Sequence, residues 1–99
     1  QIMVEFEFQK READIVSREA RVRNILGQLR DVEQEVDVSR LSAQLRSELQ
    51  ELEALGNELE DCADECDDPQ DAQDSVVRHR DEHARLGREL REALFTARK

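Results

Sequence analysis

The sequence predicts an all-α protein of long amphipathic helices, packed as an antiparallel three-helix bundle or a coiled-coil hairpin. Three observations carry that expectation. Charged residues make up 40% of the 99 positions while Gly and Pro number only 3 and 1, a mixture typical of long helices and coiled coils. Aliphatic residues recur in three heptad rows, the spacing that keeps one helical face dry. Trp and Tyr are absent and Phe occurs 3 times, so burial falls to aliphatic stripes and not to an aromatic interior. A seam of that kind is narrow and has no room for a substrate pocket, which points to a non-enzymatic protein.

The first eight residues alternate, with Ile2, Val4, Phe6 and Phe8 against Gln1, Met3, Glu5 and Glu7. A lone short strand is marginal, and the favoured reading is a frayed helix start whose two Phe cap the bundle end. The first helix is expected over about 9–37. Its seam is Ile15, Val22, Leu29 and Val36, seven apart, with Ile25 and Val32 in the complementary row and Arg18 interrupting it. A second helix over about 39–66 carries Leu45, Leu52, Leu59 and Cys66, with Leu55 and Cys62 beside them and Leu41 and Leu49 widening the stripe.

Val36 and Leu45 are nine residues apart. At roughly 100° per residue the stripe therefore moves to the opposite helical face. A break near Asp37-Val38-Ser39 resolves this, Asp37 and Ser39 being capable N-caps. Residues 67–74 hold the one proline and lose the apolar period, and Asp68 before Pro69 disfavours helix. With Asp71, Asp74 or Ser75 as cap, a third helix over about 75–98 presents Val76, His83, Leu90 and Ala97, together with His79, Leu86 and Ala93.

One constellation bears on chemistry. Cys62 and Cys66 are one turn apart on the second helix, and His79 and His83 one turn apart on the third. A hairpin at Pro69 brings the two faces together. Two thiolates and two imidazoles suit a closed tetrahedral zinc site, and the spacing Cys-x3-Cys-x12-His-x3-His resembles that of Cys2His2 zinc fingers. The resemblance covers 22 residues and lacks the β-hairpin composition and the aromatic of such fingers; Gln70 stands where the aromatic is expected. The site would be a zinc clip on a helical hairpin. The alternative is that Cys62, Cys66, His79 and His83 are unliganded core residues.

The net charge of −10 repels nucleic-acid phosphates and anionic membranes, and no apolar run approaches bilayer-spanning length. Glu58, Glu60, Asp61, Asp64, Glu65, Asp67, Asp68, Asp71 and Asp74 crowd the second turn and are expected to be a solvated tip. Arg78, Arg80, Arg85, Arg88 and Arg91 alternate with Asp81, Glu82, Glu89 and Glu92, as expected for surface ion pairs. Gln1 is not an initiator Met, and Ala97-Arg98-Lys99 stops within a helical pattern, so the chain is expected to be a fragment of a larger protein. Two Cys four apart on a helix suggest reduced thiols in a cytoplasmic, intracellular setting.

In architecture alone, three such helices resemble spectrin-like repeats and the N-terminal bundles of SNAREs. The core Trp usual in the first spectrin helix is missing, and no residue role is carried over. The function expected from these features is a coiled-coil interaction or oligomerisation segment of a scaffold, cytoskeletal, motor or trafficking protein, meeting partner helices or copies of itself. The alternative is a zinc-stapled hairpin presenting its acidic tip to a basic partner.

Overall fold

The computed structural model describes residues 2–97; Gln1, Arg98, Lys99 and the side chain of Ile2 lie outside that description. Three helices, α1 (Ile2–Arg30), α2 (Glu35–Ala63) and α3 (Pro69–Ala97), each run for 29 residues. At 1.5 Å per residue each is about 44 Å long, which accounts for most of the 51 Å long axis of the molecule. All three pack against one another.

Ion pairs fix the helix directions. Arg11 meets Glu58 and Arg21 meets Glu48, so α2 descends as α1 rises. Arg23 meets Glu82 and Arg30 meets Glu89, so α3 rises again beside α1. The result is the antiparallel up-down-up bundle expected from the sequence.

Both turns lie earlier than the pattern suggested. The first occupies residues 31–34, ahead of Asp37-Val38-Ser39. The backbone N–H groups of Asp31 and Val32 donate to the carbonyls of Gln28 and Leu29, and Gln34 then turns extended, φ −93°, ψ 131°, its carbonyl accepting from Asp37 and Val38. Asp37 is thus already helical. Val36, placed in the seam by heptad counting, is 74% exposed; once the chain turns before it, it no longer shares a helix with Val22 and Leu29. Val32 packs half-buried against the core at the turn.

The second turn shows what Pro69 does. Asp68 acts as N-cap, its Oδ1 accepting from the Asp71 amide at 3.1 Å. Pro69 takes the first helical position, where a missing N–H costs nothing and a fixed φ helps. The proline opens α3 where a breaker was expected, and the helix begins six residues before Ser75. α1 likewise starts at Ile2 and contains the alternating segment as regular helix. Phe8 is buried as a cap on the core, whereas Phe6 is exposed.

The interior is otherwise the aliphatic seam expected. Ile15, Val22, Ile25, Leu29, Leu45, Leu52, Leu59, Leu86 and Leu90 are buried, and Leu55 packs partly buried against them. Phe8 and Leu26 join from α1, Leu41 from α2 and Val76 from α3. Full burial of each such side chain stabilises by about 1.5–3 kcal/mol relative to exposure. Among the described residues, no helix is long and apolar enough to cross a membrane.

Candidate metal centre

The aliphatic seam is interrupted at one level by ionisable groups. Glu19 lies four residues after Ile15 and three before Val22, inside the apolar stripe of α1, and only 4% of it is exposed. A carboxylate buried to that degree loses several kcal/mol of hydration, so it needs partners. α3 supplies them from one face. Oε2 of Glu19 lies 2.9 Å from Nδ1 of His79 and 2.9 Å from Nε2 of His83. On the far side of its ring, His79 Nε2 lies 3.1 Å from Oε2 of the half-exposed Glu12.

Ionised carboxylates accept and do not donate, so each ring nitrogen facing one of them donates in this arrangement. His79 has a carboxylate on each ring nitrogen, Glu19 at Nδ1 and Glu12 at Nε2, and so bridges the two. Burial pushes the proton affinity of His83 below its ordinary value of 6.5, the charge and hydrogen bond of Glu19 opposing that shift.

Glu19, His79 and His83 form a group whose ligand atoms all lie within 4.8 Å of one another, and among the described residues it is the group of this kind that the structure contains. Two imidazole nitrogens and a carboxylate oxygen are a borderline donor set suited to zinc and its transition-metal neighbours. Tetrahedral ligands at about 2.0–2.1 Å from zinc stand roughly 3.3 Å apart, so the 2.9 Å separations need to widen by only a few tenths of an ångström. Glu12 is placed to keep a hydrogen on Nε2 of His79, which leaves the Nδ1 lone pair for an ion. Carboxylates commonly orient metal-bound histidines in this way.

Of the four ligands expected from sequence, the structure brings together the two histidines and not the two cysteines. Cys66, just beyond α2, is buried and donates from Sγ to the carbonyl of Cys62 at 3.5 Å. Burial first, then the nearby Glu5 charge, pushes its thiol above the ordinary 9.0. Cys66 thus lies at the level of Glu5 on α1, whereas the histidines lie at the level of Glu12 and Glu19. Seven to fourteen helical residues separate these levels, roughly 10–20 Å. Both nitrogens of His79 and Nε2 of His83 turn toward α1, so any clip they make joins the first and third helices and not α2 and α3.

Counting Cys and His misses Glu12 and Glu19. The available signal is Glu19 itself, an acidic residue inside an aliphatic stripe, masked by a heptad count that assigned the neighbouring Arg18 to the seam.

Comparison with known proteins returns no matching family model, no matching curated protein and no matching solved structure.

Proposed function

We propose that the chain is a non-enzymatic helical interaction module whose first and third helices are clipped by a zinc-class ion on Glu19, His79 and His83. The observation that carries the clip is a single buried carboxylate oxygen placed 2.9 Å from nitrogens of two different imidazoles. All three side chains come from core faces, so an ion there works as a tie between helices. The interaction half of the reading is supported by long helices that close their own seam and still leave Met3, Phe6 and Val77 exposed. Its partners would be helices of another protein or of a second copy, in an intracellular setting.

Elemental analysis and thermal melting with and without chelator test the clip. One zinc per chain is expected. At free zinc a hundred times Kd the stabilisation is about 2.7 kcal/mol, a Tm rise of roughly 10–20 °C for a chain of this size. Glu19→Gln and His79→Ala should abolish uptake, while Cys62→Ser with Cys66→Ser should leave it intact. Loss of uptake in the cysteine variant would restore the Cys2His2 alternative and remove this one. For the interaction role, sedimentation showing a strict monomer that engages no helical partner would count against it.

A further inference from the structure

The arginines of α3 do not all behave as surface ion pairs. Arg80 is held by Glu60 and Asn57, and Arg85 by Glu82 and Glu89. Arg88 and Arg91 make no ion pair among the described residues, in a chain with 25 acidic and 15 basic side chains. Both line a groove of about 470 Å³ between α2 and α3, together with Arg80, His83, Gly56 and Gly87.

The glycines shape this groove. A Cβ placed on Gly56 would meet nothing within 4 Å, and one on Gly87 would meet only Nη1 of Arg91 at 3.7 Å. Neither α2 at Gly56 nor α3 at Gly87 puts a side chain into the groove, and the Arg91 guanidinium lies over Gly87. Glycine inside a helix is destabilising relative to alanine, and no steric demand of the fold requires it at these two positions. One carboxylate, Glu53, lines the same groove.

His83 links the groove to the metal centre. Its Nε2 is committed to Glu19, and Nδ1, on the other side of the ring, has no hydrogen-bond partner among the described residues. A histidine bound to metal through Nε2 carries its hydrogen on Nδ1, and such N–H groups are normally met by an acceptor. Glu12 fills that role for His79.

We propose that this groove binds a phosphate-class dianion, held by Arg88 and Arg91 and by the Nδ1–H of His83. Two guanidiniums and an imidazole N–H offer more donors than a carboxylate can use, and they match the several oxygens of a tetrahedral oxyanion. The arginine part stands by itself; the His83 part rests on the zinc reading above.

The test is a titration of the full chain with methyl phosphate at constant ionic strength, followed by amide NMR, in zinc-free and zinc-loaded protein. Saturable shifts are expected at Gly56, Ala84 and Gly87. The double variant Arg88→Gln with Arg91→Gln should bind at least about tenfold more weakly at unchanged helicity, and Glu53→Gln more tightly. Zinc should strengthen binding by fixing the His83 hydrogen. Shifts that fail to saturate, or that persist equally in the double variant, overturn the site. Zinc uptake without anion binding overturns the groove and leaves the clip. Arginine-dependent anion binding without zinc uptake supports the groove and removes the clip.

Discussion

The two sides of α1 are held by different physics. Toward α2 the interior contact is aliphatic, Leu41, Leu45, Leu52 and Leu59 closing on Ile15, Val22 and Leu29, flanked by the Arg11–Glu58 and Arg21–Glu48 ion pairs. Toward α3 the contact includes Glu12, Glu19, His79 and His83, with Arg23–Glu82 at 2.6 Å beside them. Apolar packing is non-directional and tolerant of small shifts. A buried carboxylate shared by two rings is directional, and half-satisfying it is costly. The aliphatic side supplies stability, and the polar side selects which faces of α1 and α3 meet.

The largest effect should come from the aliphatic side. Leu52 is fully buried, and Leu52→Asp strands a carboxylate with no partner. Loss of the cooperative melt and of most helicity by circular dichroism is expected; an unchanged melt would show that the seam is misassigned. On the polar side the contrast between two designs is sharper than either alone. Glu19→Ala leaves two rings without their acceptor and should destabilise by about 1–3 kcal/mol in urea titrations. Replacing Glu19, His79 and His83 together by Leu should be neutral or stabilising, as for other buried ionic clusters exchanged for hydrophobic ones, and should erase the response to zinc. If the triple variant proves far less stable than Glu19→Ala, the cluster contributes net stability and the contrast drawn between the two sides fails.

Protonation gives a smaller effect. The proton affinity of His83 is lowered in the folded chain, so on acidification the unfolded chain takes up this proton first. The contribution of His83 is fully present above about pH 6.5 and is lost progressively below it, down to the folded value. The Tm difference between the parent chain and His83→Gln, both zinc-free, should therefore shrink as pH is lowered through this range. A difference that grows on acidification would reverse the sign. Smallest of all, Val36→Ala should change stability by no more than about 0.5 kcal/mol, against the larger loss expected if Val36 sat in the seam.

Much of the fold is legible in the sequence because a heptad row is a local property. Ile15, Val22 and Leu29 on α1, and Leu45, Leu52 and Leu59 on α2, lie at seven-residue intervals and are buried as that spacing requires. The turns are harder to read, since each depends on a single residue acting in context. Pro69 reads as a breaker until Asp68 is recognised as its cap, and Val36 reads as seam until the chain is seen to turn before it. The candidate site was half legible. His79 and His83 stand out by type and spacing, but their partners lie sixty or more residues away on α1. Nothing local tells a buried glutamate from the many solvated ones around it.

The Asp68–Pro69 start leaves only residues 64–68 between α2 and α3, so the link has little slack. One extra residue inserted inside the helix, between Pro69 and His79, would turn everything beyond it by about 100°, carrying both imidazoles off Glu19 and Arg80 away from Asn57. The proline therefore fixes where the third helix begins, and the count of helical residues from it to His79 and His83 is as much a determinant of the cluster as the histidines themselves.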